Sequence, residues 1–61
     1  MEGKVKLVEY IMELLREQKE VLEELAQESS YEVTSYIRVA HEINKKIGYK
    51  INELWIQQNK Q

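Results

Sequence analysis

Two runs of apolar residues at helical spacing, separated by a short polar segment, constrain this chain more than any other feature. In each run the apolar residues recur every three or four positions, which is the period of one face of an α-helix. In the second run Val33, Ala40, Ile47 and Leu54 stand seven residues apart, which keeps them on one face. The pattern therefore predicts two amphipathic helices. The apolar positions of the first helix are Leu7, Val8, Ile11, Leu14, Leu15, Val21, Leu22 and Leu25.

The polar segment between the two runs predicts the start of a helix. The sequence SSYE beginning at Ser29 fits a capping box, in which the Ser29 hydroxyl accepts a hydrogen bond from the Glu32 amide and the Glu32 carboxylate accepts one from the Ser29 amide. A connection this short makes the two helices antiparallel neighbours. We expect a single domain over residues 1–61, with the first helix at about residues 4–26 and the second at about 30–58.

Gly48 leaves the course of the second helix open. Lys45 and Lys46 before it are typical of a helix C-terminus that is capped by a glycine, and a short third helix would then run over residues 49–58. The seven-residue spacing nevertheless continues across Gly48, and a glycine inside a helix costs only about 1 kcal/mol relative to alanine. We expect one long helix with a weak point at Gly48, and the shorter alternative stays open.

The length of the chain favours self-association. A chain of 61 residues buries a small core, and chains of this size usually add disulfides, a metal ion or a second subunit. Cysteine is absent and there is one histidine, so the residues of a disulfide or of a zinc site are missing. We expect no cofactor, no metal and an all-α fold, an antiparallel two-helix hairpin that dimerises into a four-helix bundle. The expected core comprises Leu7, Ile11, Leu14, Val21, Leu22 and Leu25 of the first helix and Val33, Ile37, Ala40, Ile43, Ile47 and Leu54 of the second.

The charge balance argues against nucleic acid as a partner. The net charge is -2, and the first 32 residues carry nine Glu against four Lys and Arg, whereas the rest carry two Glu against five. Such a chain lacks the basic footprint of a nucleic-acid-binding domain, although residues 42–54 faintly resemble a helix-turn-helix with Gly48 in the turn. No stretch approaches the ~18 apolar residues of a membrane span. We expect a cytoplasmic homodimer that binds neither nucleic acid nor membrane.

A polar strip around the single histidine is the candidate for chemistry. On a helix Arg38, His41 and Lys45 lie on neighbouring turns, as do His41 and Asn44 and also Glu42 and Lys45. A carboxylate or imidazole beside an amide can orient a water molecule, and cations stabilise a phosphoryl group. We therefore predict Glu42, Asn44 and His41 as catalytic residues and Arg38 and Lys45 as partner-binding residues. The alternative is a solvated polar face with one incidental histidine.

The same strip resembles a motif of the small two-helix aspartyl-phosphate phosphatases that act on sporulation response regulators in bacilli. Their second helix carries Ser-Gln-Glu-Leu-Asp followed by Lys-x-Ile, and here AHEIN at Ala40–Asn44 followed by KKI occupies that place. Glu42 is identical to the family residue, whereas Ala40 and Asn44 replace its Ser and Asp. The resemblance implies a helical hairpin that docks on a response-regulator receiver domain, with or without removal of its aspartyl phosphate.

A second resemblance covers about ten residues of the same strip. VAHEIN at Val39–Asn44 is similar to the phosphoacceptor box of sensor histidine kinases, which often reads Ala-His-Glu-Ile-Asn-Asn-Pro-Leu. By this resemblance His41 would be the phosphoacceptor and Glu42 its acid–base neighbour. Both resemblances imply a small regulator of two-component signalling, in which Glu42 and Asn44 would position water. The alternative function is a non-enzymatic hairpin that oligomerises or binds a helix of another protein.

Overall fold

The chain forms two long helices joined by a short loop. In the computed structural model, which describes residues 2–59, helix α1 spans Glu2–Gln27 and helix α2 spans Val33–Asn59. The described residues are otherwise confined to the connecting loop. The predicted all-α architecture of two packed helices is therefore confirmed.

Two contacts between the helices define an antiparallel register. The side-chain amide of Gln18 donates to the backbone carbonyl of Ala40 at 3.0 Å. Nearer the chain termini, the Lys50 ammonium lies 5.4 Å from the centroid of the Tyr10 ring. Because the two helices run in opposite directions, each later residue of α1 lies level with an earlier residue of α2. The helices therefore form a hairpin in which residues near the middle of α1 and the middle of α2 stand side by side.

Helix α2 passes through Gly48 without a break. Glycines with positive φ are absent from residues 2–59, so Gly48 keeps the right-handed helical backbone. A Cβ atom added at Gly48 would meet no atom within 4 Å, so packing inside the hairpin does not require glycine at this position. The separate third helix that the sequence left open does not form. The turn that a helix-turn-helix would need at Gly48 is likewise absent.

The loop between the helices is held by Glu28 and Ser30. The Glu28 Oε1 atom accepts hydrogen bonds from the Ser29 and Ser30 backbone amides, each at 3.2 Å, and the Ser30 hydroxyl accepts one from the Glu32 amide at 3.1 Å. The capping box predicted at Ser29 is wrong, because Glu28 takes the Ser29 amide and Ser30 takes the Glu32 amide. Helix α2 consequently begins at Val33 rather than near residue 30.

The loop end of the hairpin concentrates negative charge. Hydrogen bonds from the side chain and then the amide of Ser30 lower the pKa of Glu28 below its ordinary value of 4.5. The charge of Glu24, followed by burial and by the charges of Glu28 and Glu32, raises the pKa of Tyr36 above 10.0. The folded chain therefore favours the ionised form of the Glu28 carboxylate and the neutral form of the Tyr36 hydroxyl.

The buried core is a single line of side chains along the contact between the helices. Leu14 is the most buried residue at 3% exposure, and the remaining four buried side chains are each 8% exposed. Val21 and Leu54 pack against this cluster and are partly buried. The buried set comprises Leu7, Ile11, Leu14, Ile43 and Ile47. These seven positions were all expected in the core.

Two expected core residues face solvent instead. Leu22 is 47% exposed and Ile37 is 52% exposed. Each stands one position after a residue that does face the other helix, Val21 in α1 and Tyr36 in α2. Because an α-helix turns by about 100° per residue, that single step carries the side chain away from the contact. Leu22 and Ile37 therefore lie outside the core of the single hairpin.

The hairpin has the shape of a rod. Its principal extents are 49 × 14 × 10 Å and its radius of gyration is 14.5 Å. A compact domain of the same length would have a radius of gyration of about 10.5 Å. Neither described helix contains an apolar stretch long enough to cross a membrane.

Candidate functional site

The predicted site residues all lie on α2 and all face solvent. Arg38, His41, Glu42, Asn44 and Lys45 are exposed, and the helix that carries them is continuous. The Lys45 ammonium lies 3.6 Å from Glu42 Oε1, with the two side chains 48% and 58% exposed. An ion pair this open to water contributes roughly 0–1 kcal/mol to stability. The strip is therefore free to meet a partner, and the fold does not depend on it.

The five residues spread around the exposed side of α2. Arg38, Glu42 and Lys45 follow one another at steps of four and three. His41 lies between this group and Asn44, because it is three or four residues from Arg38, Lys45 and Asn44 alike. Glu42 and Asn44 are two residues apart, so their side chains leave the helix about 200° from each other. A water molecule bound by Glu42 would therefore be far from Asn44. The assignment of these residues as catalytic stays a prediction.

Two lines of residues run along each helix, and they differ in how far they are exposed. We call the positions that face the other helix the core seam. They follow one another at steps of three and four, and every one of them is buried or partly buried. The core seam comprises Leu7, Ile11, Leu14, Gln18, Val21 and Leu25 of α1 and Val33, Tyr36, Ala40, Ile43, Ile47, Lys50 and Leu54 of α2.

A second line of residues follows the core seam one position later on both helices, and we call it the outer seam. Its apolar members include Met12 and Trp55, which are 61% and 63% exposed, and Leu15 and Ile51, which are 51% and 50% exposed. The outer seam comprises Val8, Met12, Leu15, Lys19, Leu22 and Ala26 of α1 and Thr34, Ile37, His41, Asn44, Gly48, Ile51 and Trp55 of α2.

The outer seams of the two helices lie on the same side of the hairpin. Viewed from one end, a right-handed helix that runs away from the viewer turns clockwise from residue to residue, and one that runs towards the viewer turns anticlockwise. The helices are antiparallel and their core seams face each other, so a step of one residue turns both side chains towards the same side. The two outer seams therefore join into one broad face, with apolar residues at both ends.

His41 and Asn44 belong to this face. They fill the outer-seam positions between Ile37 and Ile51, beside Gly48. The polar strip predicted from the sequence groups them with Glu42, whereas in the structure they interrupt the apolar residues of the outer seam. This line could have been found in the sequence, because steps of three and four residues connect Ile37 to Trp55 by way of His41 and Asn44. Arg38, Glu42 and Lys45 lie outside the outer seam.

The hairpin exposes more surface than a compact monomer of the same mass. The chain exposes 5193 Å². A compact monomer of 7.3 kDa would expose about 4,200 Å², so the excess is roughly 1,000 Å². A specific protein–protein interface covers about 800 Å² on each partner. The hairpin therefore carries about as much additional surface as one interface removes from water.

A depression on α1 is a weaker candidate for a functional site. This shallow depression is formed within that one helix, so it has no opposing wall to enclose a ligand. It is lined by Glu9, Tyr10, Met12, Glu13 and Arg16. Among residues 2–59 no three His, Cys, Asp or Glu side chains are grouped so that they would hold a metal ion. The outer seam remains the main candidate for function.

No protein-family model, curated protein or solved structure matches this chain. Any function of the chain must therefore be inferred from the faces of the hairpin and their residues.

Proposed function

We propose that this chain is a protein-interaction hairpin that works by pairing its two helices with two further helices. In the form we favour, two copies associate through their outer seams into a four-helix bundle. The observation that carries the proposal is the broad apolar face, with Met12, Leu15, Ile51 and Trp55 each at least half exposed. Apolar faces of this extent mark interaction surfaces on soluble proteins.

The helical-bundle form explains why both helices carry two apolar lines. A helix in a bundle of two needs one apolar line, whereas a helix in a bundle of four meets two neighbours and needs a broader stripe. Here the core seam supplies the contact within the chain and the outer seam supplies the contact to a second pair of helices. A helix pair from another protein would be the alternative occupant.

Trp55 gives a direct test of this proposal. It is the only tryptophan and belongs to the outer seam, so pairing would move its indole out of water. We expect its fluorescence emission to shift to shorter wavelength as the protein concentration rises and to shift back on dilution. Ile37→Asp, which places a charge on the same face, is expected to keep the long-wavelength emission at every concentration. Emission that does not change with concentration would contradict self-pairing.

A second candidate function follows from the family resemblance. We propose it as docking of α2 on a response-regulator receiver domain, with Arg38 and Lys45 meeting phosphate charge. The supporting observations are the two-helix hairpin itself and the exposed line of Arg38, Glu42 and Lys45. In the active version of this candidate, Glu42 helps to hydrolyse the aspartyl phosphate; in the inactive version the chain only binds.

The decay of aspartyl phosphate on receiver domains tests the second candidate. Decay would be measured with and without the chain, and with Glu42→Ala as the variant. Faster decay that Glu42→Ala abolishes would support the phosphatase. Unchanged decay together with measurable binding would support a silent regulator, and absence of both would remove the receiver domain as the partner.

A further inference from the structure

The orientation of the two copies and its effect on the predicted site can be inferred from the register and the charges of the helices. We infer that each α1 packs against the partner's α2, with the two-fold axis parallel to the helices. We also infer that this pairing covers His41 and Asn44 and leaves Arg38, Glu42 and Lys45 outside. The inference rests on the proposed function, because it presumes that a second copy covers the outer seam.

Two symmetric arrangements would bring the outer seams of two hairpins together. If the two-fold axis runs parallel to the helices, α1 lies on the partner's α2 and every helix has antiparallel neighbours. If the axis runs across the helices within the interface, α1 lies on the partner's α1 and α2 on the partner's α2. Both arrangements are isologous, as is usual for a homodimer. Shape alone does not separate them.

Charge separates the two arrangements. The first 32 residues carry nine Glu against four Lys and Arg, whereas the remainder carry two Glu against five. Packing α1 on the partner's α1 places two acidic helices together, which costs free energy because like charges repel across an interface. Packing α1 on the partner's α2 places an acidic helix beside a basic one at both contacts. The axis parallel to the helices is therefore favoured.

In this arrangement the register inside the hairpin also sets the register between copies. Gln18 is level with Ala40 and Tyr10 with Lys50, so Leu15 is level with Asn44. A two-fold axis parallel to the helices keeps every residue at its own level. Asn44 therefore comes beside the partner's Leu15.

Gly48 has a role in this arrangement that it lacks within the single hairpin. The same register brings it beside the partner's Met12, the longest apolar side chain of the outer seam on α1. No atom of α1 lies within 4 Å of where a Cβ at Gly48 would stand, so this stretch of α2 is open to an approaching helix. A glycine lets another backbone or a long side chain come close.

Pairing in this way makes access to part of the predicted site depend on concentration. His41 and Asn44 are exposed in the single hairpin and lie on the outer seam, so a second copy covers them. Arg38 and Lys45 lie at the edge of the outer seam and Glu42 lies farther around the helix, so all three stay in contact with solvent. Self-pairing and any use of His41 or Asn44 by another partner therefore exclude each other.

Disulfide trapping tests the orientation, since the chain has no cysteine of its own. Leu15→Cys and Asn44→Cys would be made in separate chains, mixed and oxidised. We expect a disulfide-linked heterodimer in the mixture and little linkage in either variant alone. The arrangement with α1 on the partner's α1 predicts instead that each variant links to itself, and that result would overturn the inferred orientation while leaving the proposed pairing intact.

A second pair protects the test against a variant that disturbs the interface. Leu22 and Ile37 stand level with each other near the loop, so a mixture of Leu22→Cys and Ile37→Cys is also expected to cross-link. Circular dichroism confirms beforehand that each variant is helical. Sedimentation of the wild-type chain as a monomer throughout would contradict the self-pairing on which the inference rests, which keeps the two failures distinct.

His41 reports the covering of the site without any change to the interface. It is the only histidine, so its reaction with diethyl pyrocarbonate can be followed in the wild-type chain. We expect a severalfold slower reaction at concentrations where the chain is paired, and a fast reaction in Ile37→Asp at every concentration. A rate for the paired wild-type chain equal to that of Ile37→Asp would overturn the inference that pairing covers His41.

Discussion

The core seam and the outer seam share one spacing but differ in what covers them. Both advance by three and four residues on both helices, and the outer seam follows the core seam one residue later. The other helix of the same chain covers the core seam, where Leu14 is 3% exposed. On the outer seam Trp55 is 63% exposed. The chain thus carries two lines with apolar residues, and its own fold covers one of them.

Helical spacing alone does not determine which of the two seams forms the contact inside the hairpin. One residue of offset turns a side chain by about 100°, which is enough to move it from the interior of the hairpin to its open side. The two seams therefore make different predictions for the same substitution. A change on the core seam acts on folding, whereas a change on the outer seam acts on association.

The largest difference is expected from the same substitution on the two seams. Ile43→Asp buries a charge without a partner in the core, and we expect it to cost at least about 3 kcal/mol, enough to unfold a chain of this size. Ile37→Asp places the same charge on the exposed outer seam, and we expect the hairpin to stay helical in dilute solution. Circular dichroism during thermal denaturation compares them. Equal loss of helix in both variants would erase the distinction between the seams.

Gln18 gives a smaller effect of opposite sign. It is the polar member of the core seam on α1, and its Oε1 atom is buried with no hydrogen-bond partner among the described residues. Leaving such an atom unsatisfied costs about 1–3 kcal/mol, so Gln18→Leu should raise the free energy of unfolding by about 1–2 kcal/mol. Urea denaturation measures this change.

Lys19→Leu is the matched control for Gln18→Leu. Lys19 is the next residue and belongs to the outer seam, so the substitution should tighten pairing with little effect on the dissociated hairpin. A loss of stability in Gln18→Leu would mean that the hydrogen bond from Gln18 to Ala40 is needed for the register of the helices.

Gly48→Ala tests whether a second copy approaches the outer seam closely at this position. Its backbone is helical and its surroundings are open, so alanine should stabilise the hairpin by about 1 kcal/mol. In the paired state the added methyl group would meet the partner's Met12, so the gain should shrink as the protein concentration rises. Thermal denaturation at low and high concentration measures both values. An undiminished gain at high concentration would argue against a close approach at Gly48.

The smallest effect is expected at the loop, which lies outside both seams. The pKa of Glu28 is lowered in the folded chain, so its carboxylate adds stability above pH 4.5. That contribution is lost as the pH falls through the lowered value. Glu28→Gln should therefore melt below the wild type near neutral pH and approach it in acid, at every protein concentration. A difference between the two that is independent of pH would show that ionisation of Glu28 does not matter.

Much of the fold was predictable because the period of the apolar residues determines it. Leu14 and Ile43 fall at the centre of their stripes, where any helical pairing buries them. Leu22 and Ile37 were grouped with the buried residues because two adjacent stripes look like one broad stripe in the sequence, whereas the single hairpin covers only one of the two stripes. The register between the helices is what separates the two stripes, and it appears only when the helices are packed.

The loop and the candidate site were less predictable for local reasons. Ser29 and Ser30 are equally suitable as capping residues. The Glu28 carboxylate accepts hydrogen bonds from both of their amides, and the Ser30 hydroxyl accepts the one from Glu32. The polar strip could be recognised in the sequence, but its relation to the outer seam could not. Helical geometry sets Glu42 apart from Asn44, and the outer seam gives His41 and Asn44 apolar neighbours.

Self-pairing through the outer seam is the main claim about this molecule, and sedimentation equilibrium measures it. We predict that the wild-type chain will reach twice its monomer mass of 7.3 kDa at high concentration and dissociate on dilution. Ile37→Asp should remain a helical monomer over the same range. A wild-type chain that stays at the monomer mass throughout would contradict the claim.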